Sequence, residues 1–239
     1  MKAYAATDVG SLRSINQDYV YYSLTEKGCL PNLFIVADGM GGHKAGDIAS
    51  RYTVEKFIEN VEKSKEKDVI SAINEAVITV NAQLLEKANE SVDYEGMGTT
   101  LVVATICGNM LKVANVGDSR LYIVGDEIRQ ITRDHSLVEE LVSIGEINRD
   151  EARTHKRKNY ITRAIGGCNE VEAEMFCVEL KSDDRIVMCS DGLSNMVEDS
   201  EILKIVNRNA DIEQAVNELV DTANKYGGKD NISVMIIEP

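Results

Sequence analysis

The chain has no tryptophan, two prolines and three histidines among its 239 residues. Its prolines are Pro31 and the terminal Pro239, and no Gly/Ser/Pro-rich tract interrupts it, so nothing reads as a linker. A single domain over residues 1–239 is expected. No apolar run nears the roughly 18 residues that a membrane helix needs. The N-terminus MKAYAATDVG lacks the apolar stretch of a signal peptide. Both absences point to a cytoplasmic protein with no membrane contact. Basic residues are few, 26 Lys and Arg against 40 Asp and Glu for a net charge of −14, which argues against nucleic acid as a partner. The acidic excess reads either as solubility or as acids that hold cations, and the count does not separate the two. The five cysteines (Cys29, Cys107, Cys168, Cys177 and Cys189) include no C-x-x-C pair, so no thiolate zinc site is expected. An odd number in a leaderless chain suggests reduced, mostly buried thiols. None is followed six positions later by arginine, which removes the phosphate loop of cysteine-dependent phosphatases. GGHKAG and GGKDN lack the G-x-x-x-x-G-K-[ST] spacing of a nucleotide-cradling loop.

What is present is an ordinary globular composition, 44% hydrophobic and 28% charged. NLFIVAD, TTLVVATIC, MLKVANVGD, RLYIVGD and RIVMCSD are short runs rich in Val, Ile and Leu and read as strands. Gly108-Asn109 between two of them is a hairpin signal, so Thr99 to Ile131 is expected to form an antiparallel meander. Two helices are expected between Ala45 and Asn89, the second carrying Val69, Ile73, Val77, Val80, Leu84 and Ala88 at helical spacing. Ile212, Ala215, Val216, Leu219, Val220 and Ala223 repeat the pattern, behind a capping box of Asp211 and Gln214. Helices and strands come in blocks, which favours antiparallel sheets covered by helices over a doubly wound parallel sheet.

Aspartates punctuate these strands. Asp38, Asp118 and Asp191 each close an apolar run and adjoin Gly39, Gly117 and Gly192. Asp230 stands just before NISVMII, and Asp18 lies between RSINQ and YVYYSL. Singly, each reads as a turn or cap residue. Together in one cleft, five carboxylates repel unless a cation neutralises them. Oxygen donors without His or Cys suit Mg²⁺ or Mn²⁺, and a neighbouring glycine lets a carbonyl and water come close. Two such ions about 3.5–4 Å apart activate a bridging water and clamp a phosphoryl group, with Asp38 as the bridging ligand. Arg13 reads either as a surface arginine or as the guanidinium fork that such a phosphate wants.

RSINQD, VADGMGGH, GTT, NVGDSRLY, ITRAIG, CSDGL and KDNISVM occur in this order from Arg13 to Met235. Together they resemble the metal-dependent Ser/Thr protein phosphatases of type 2C, and DGMGGH is similar to the stand-alone bacterial members. The resemblance implies an α+β fold in which two central antiparallel sheets form a sandwich flanked by helices on both sides. It implies that Asp38 bridges two ions, Mn²⁺ or Mg²⁺, that the Gly39 carbonyl holds the first, and that Asp191 and Asp230 hold the second. Asp118 with Asp191 resembles a third-ion site. Arg13 looks like the phosphate-binding arginine and Asp18 like an outer ligand acting through water; Ser119, Arg120, Thr162 and Arg163 look like structural support. Many eukaryotic members carry histidine directly after the Asp-Gly pair, where this chain has Met40. His43 is the candidate general acid in its place, or else a loop residue without catalytic duty. A flap is expected at about residues 135–161, with His135 and His155 in or beside it. Its basic cluster, Arg153, Lys156, Arg157 and Lys158, reads as a solvated face or as an attractor of phosphopeptides. The implied reaction is hydrolysis of phosphoserine and phosphothreonine on proteins by activated water, without a phosphoenzyme, by a monomer opposing a Ser/Thr kinase. Rival readings are another two-metal phosphoesterase, or an inactive module on the same fold. The acidic charge speaks against a nuclease, and the full set of aspartates against an inactive module.

Overall fold

The computed structural model describes residues 1–42 and 45–239. Its strands and helices run β1 (Lys2–Asp8), β2 (Asp18–Ser23), β3 (Leu33–Met40), α1 (Ala45–Lys63), α2 (Val69–Ala88), β4 (Gly98–Thr99), β5 (Leu101–Cys107), β6 (Met110–Val116), β7 (Arg120–Val124) and β8 (Ile128–Gln130). They continue with α3 (Leu137–Ser143), α4 (Arg149–Thr154), β9 (Glu174–Glu179), β10 (Arg185–Cys189), α5 (Asp191–Ser194), α6 (Asp199–Arg208), α7 (Ile212–Lys225) and β11 (Ile232–Glu238).

Two sheets form, in the orders β1-β11-β10-β7-β8 and β2-β3-β5-β6-β9, with β4 beside β3. Their pairings are antiparallel. Side chains alternate across each strand, and here both faces are covered. Along β3, Phe34 and Val36 enter the layer between the sheets, where they meet Val102, Met188 and Met235. Leu33, Ile35 and Ala37 face the other way, onto Phe57 of α1 and Ile73 of α2. Along β10, Ile186 and Met188 face the inter-sheet core, while Val187 and Cys189 pack with Val206 of α6 and Leu219 of α7. Three apolar layers thus separate four structural ones, the αββα sandwich that the sequence led one to expect. Burial on both faces explains why LFIVA is continuously apolar rather than alternating with polar residues.

The two helices between Ala45 and Asn89 and the C-terminal helix form as their periodicity requires. The Gly108-Asn109 hairpin closes between Cys107 and Met110, with Gly108 at φ 63°. Three expectations are corrected. The strands from Thr99 to Ile131 are not one meander: β6 pairs with β5 and β9, whereas β7 pairs with β8 and β10 of the other sheet. Gly117 makes this crossing possible, at φ 109° with the space for a Cβ only 2.6 Å from Thr100 Cγ2. The Asp211 cap accepts the Glu213 N–H at 3.0 Å; the short side chain serves that amide, and among the described residues Gln214 closes no capping box with it. Of the cysteines only Cys189 is buried; Cys168, in the loop before β9, and Cys177, on that edge strand, are exposed. All five are free thiols.

Candidate metal centre

The five aspartates converge at one end of the sandwich. Asp18 opens β2 directly opposite Asp38 near the end of β3. The Asp38 backbone is fixed from both sides: its N–H donates to Thr100 Oγ1 at 2.9 Å, and its carbonyl accepts from Thr99 Oγ1 at 2.9 Å. Gly39 follows because a Cβ there would sit 1.9 Å from the Gly46 carbonyl oxygen; helix α1 passes too close for any side chain. Asp191 begins α5 just after β10, and a Cβ on Gly192 would lie 1.9 Å from the Asn231 carbonyl oxygen. Asp230 precedes β11 and accepts its neighbour's N–H, from Asn231, at 2.9 Å. Asp118 sits on the crossing from β6 to β7.

Burial and like charge act together on this group. Burial first, and then the charges of Asp18, Asp191, Asp118 and Asp230, push the Asp38 carboxyl well above the usual carboxylate range. Burial, with Asp230 and Asp18, pushes Asp191 up to about 7, although Lys158 and a hydrogen bond with Asp38 act the other way. Burial pushes Asp18 up to about 6 against hydrogen bonds from Ser190 and Ser233. Asp118 is raised by burial, then by Asp191 and Asp134, with Arg120 opposing. Asp18 Oδ1, Asp118 Oδ1 and Asp191 Oδ1 are buried and have no hydrogen-bond partner, a costly state for polar atoms. These groups fit a divalent cation: the donors are carboxylates, their spare oxygens are orphaned, and positive charge would relieve the repulsion. Among the described residues no three His, Cys, Asp or Glu side chains form a ready-made cage for one ion.

Other polar groups set the carboxylates in place. Ser190 Oγ accepts the Ser233 N–H at 3.0 Å and donates to Asp18 Oδ2 at 2.7 Å. Asn195 Nδ2 donates to Asp191 Oδ2 at 2.8 Å. Arg120 grips Asp134 through Nε and Nη2 at 3.0 and 2.7 Å, a structural use of that arginine. Thr100 and Ser119 share a buried hydrogen bond of 2.7 Å that links the Asp38 and Asp118 segments. Arg163 Nη1 donates to the Glu172 carbonyl at 3.0 Å, away from the carboxylates, and Thr162 N–H donates to the His135 carbonyl at 2.8 Å. Ser190 and Asn195 carry no signal in the sequence beyond standing one and four residues from Asp191, since their partners lie on other elements or one helical turn away.

Arg13 Nη2 donates to Asp230 Oδ2 at 2.8 Å, with the arginine side chain 49% exposed. So the candidate phosphate fork stands at the rim of the cluster. His43 lies outside the described residues. The basic cluster divides: Arg153 pairs with Glu198 at 2.8 Å, and Lys158 Nζ donates to Asn195 Oδ1 at 3.0 Å, whereas Lys156 and Arg157 are exposed. The first two line a cleft of about 700 Å³ that also reaches Asp118 and Asp191.

The Protein phosphatase 2C family profile matches residues 12–235, and the chain belongs to that family. It is 38% identical over 243 residues to the serine/threonine phosphatase stp of Listeria innocua, covering 100% of this chain and 96% of that one. The structure of the S. agalactiae serine/threonine phosphatase superimposes with a TM-score of 0.91 at 37% identity, covering 98% of each chain. The catalytic domain of the phosphatase PstP, described in complex with two manganese ions, superimposes with a TM-score of 0.86 at 34% identity, covering 98% of this chain and 96% of the other. Family membership makes the protein a metal-dependent phosphoprotein phosphatase. Among the described residues no helix is long and apolar enough to cross a membrane.

Proposed function

We propose that the chain hydrolyses phosphoserine and phosphothreonine on proteins, using the aspartate cluster to hold Mn²⁺ or Mg²⁺. The observation that carries this reading is Asp38, half-buried and pressed by four other carboxylates whose spare oxygens include three without partners. Asp38 would bridge two ions, the Gly39 carbonyl would serve the first, and Asp191 and Asp230 the second; Asp118 with Asp191 would hold a third. The ions, when bound, lower the pKa of water and neutralise the phosphoryl oxygens. The remaining work falls to the chain. Asp18, with Oδ2 engaged by Ser190, has Oδ1 free to orient water and take its proton. Arg13 spends one N–H on Asp230, which leaves the rest of its fork for the phosphate. His43 is the proposed general acid toward the leaving hydroxyl, a role worth about 10²–10⁴-fold. The substrates require a Ser/Thr kinase to make them, and the protein acts as its counterpart.

The test is release of phosphate from a phosphothreonine peptide in excess chelator and after Mn²⁺ or Mg²⁺ is restored. Activity should vanish and return. Full activity in chelator would overturn the reading.

A further inference from the structure

The turn that carries Asp118 is not anchored by its own strands, because β6 and β7 belong to different sheets. It is anchored on one side by the Thr100–Ser119 hydrogen bond and on the other by His135. The Gly117 N–H donates to His135 Nδ1 at 3.1 Å, and the His135 N–H donates to the Gly117 carbonyl at 2.9 Å. A backbone amide can only donate, so Nδ1 carries a lone pair and the ring proton is on Nε2. From there it reaches Glu174 Oε2 on β9, 3.2 Å away. The ring is 8% exposed, and the charged groups around it are Arg163, Glu174 and Asp134. The same residue closes the base of the segment 135–161, since the Thr162 N–H donates to its carbonyl at 2.8 Å. Among the described residues the Gly117 N–H donates to His135 Nδ1 alone.

We propose that His135 is a positioning residue for the phosphatase reaction: its neutral ring, protonated on Nε2, holds Gly117 and thereby sets Asp118 where it shares a cation with Asp191. This rests on the proposed role of Asp118. Without the imidazole lone pair a buried N–H would be left unpaired, and the one carboxylate on the crossing would keep only the anchor at Ser119. A third ion bound by few protein ligands depends on that placement, because little else holds it.

The experiment uses two variants of the full chain. In His135→Asn, Oδ1 falls near the place of Nδ1 and can accept the Gly117 N–H, while the reach to Glu174 is lost. In His135→Gln the side chain reaches toward Glu174 and offers nothing at Nδ1. Mn²⁺ titration followed by electron paramagnetic resonance should show a weak ion in the parent that Asp118→Asn removes. H135Q should weaken that ion about tenfold or more and lower kcat in step, leaving the tight ions unchanged; H135N should stay within about threefold of the parent. Equal behaviour of H135N and H135Q, or parental affinity in H135Q, would overturn the proposal while the Asp118 reading stands. If Asp118→Asn leaves the titration unchanged, the Asp118 reading fails and this one with it. Should both histidine variants fold poorly, the ¹⁵N spectrum of the parent decides: Nδ1 must show the shift of an unprotonated acceptor, and a proton on Nδ1 would refute the role.

Discussion

Replacing Asp18 by asparagine should stabilise the metal-free protein, although it removes a residue of the active centre. Asp18 is 6% exposed, and its carboxyl is raised from 3.8 to about 6, chiefly by burial. A carboxyl with a raised folded pKa costs nothing while it is protonated in both states. The cost appears as pH climbs past 3.8, because the unfolded chain ionises first, and is complete above about 6. The shift of about two pH units corresponds to about 3 kcal/mol at pH 8. Asparagine escapes that cost and keeps the local bonding, since its Oδ1 can accept from Ser190 as Oδ2 does now at 2.7 Å. Its amide can then donate toward the crowded carboxyl of Asp38. In chelator at pH 8 the variant should melt roughly 6–12 °C above the parent, taking about 2–4 °C per kcal/mol for a chain of this size. At pH 4 the two should nearly coincide. With Mn²⁺ present the order should shrink or reverse, because the parent then has a cation to answer its charge. Far-ultraviolet circular dichroism suits the assay, as the chain has no tryptophan. A variant less stable than the parent in chelator at both pH values would refute the view that repulsion among buried carboxylates dominates this site.

Arg13→Ala should raise the inhibition constant of inorganic phosphate and the KM for phosphopeptide roughly ten- to hundredfold, the range of a charged hydrogen bond, without emptying the metal sites; unchanged inhibition by phosphate would assign the fork elsewhere. Because Arg153 and Lys158 are engaged with Glu198 and Asn195, only Lys156 and Arg157 remain to attract a phosphoprotein. Neutralising those two should raise KM for phosphoprotein about threefold at low salt but not for p-nitrophenyl phosphate, and the effect should fade in high salt; equal effects on both substrates would leave the pair as a solvated face. The His135 ring is kept neutral by burial, with Arg163 adding to the effect. Its contribution to stability is therefore full above about pH 6.5 and falls as pH drops below that value, by at most about 1.4 kcal/mol per pH unit. The stability difference between parent and H135N, measured by urea unfolding from pH 7.5 to 5.5, should shrink on acidification, and a difference that does not change with pH would contradict a neutral ring.

The site was legible in the sequence where local pattern and chemistry coincide. An apolar run that ends in Asp-Gly marks a strand edge, and the glycine reports a close approach: Gly39 against Gly46, Gly192 against Asn231. Three aspartates that close apolar runs beside a glycine, Asp38, Asp118 and Asp191, with Asp18 and Asp230 ahead of two further strands, made the cluster visible before the fold was. The sheet change between β6 and β7 was not legible, because a hairpin and a crossing look alike when each is strand, glycine, strand; what separates them is how β10 and β9 compete for partners. The division of the basic cluster was not legible for a similar reason. Arg153 and Lys158 find Glu198 and Asn195, at the start of α6 and the end of α5, far along the chain, and charge pattern alone cannot say which bases are already answered. His135 carried no local signal at all. Its meaning comes from a glycine 18 positions earlier whose amide has no strand partner.

Mn²⁺ binding by parent and Asp38→Asn proteins, measured by equilibrium dialysis with atomic absorption, tests the central claim most directly. Asp38 lies among the other four carboxylates, so the account predicts two tightly held ions per parent chain and loss of both, or a fall of at least about tenfold in their affinity, in Asp38→Asn. Parental stoichiometry and affinity in the variant, with the variant folded, would contradict it.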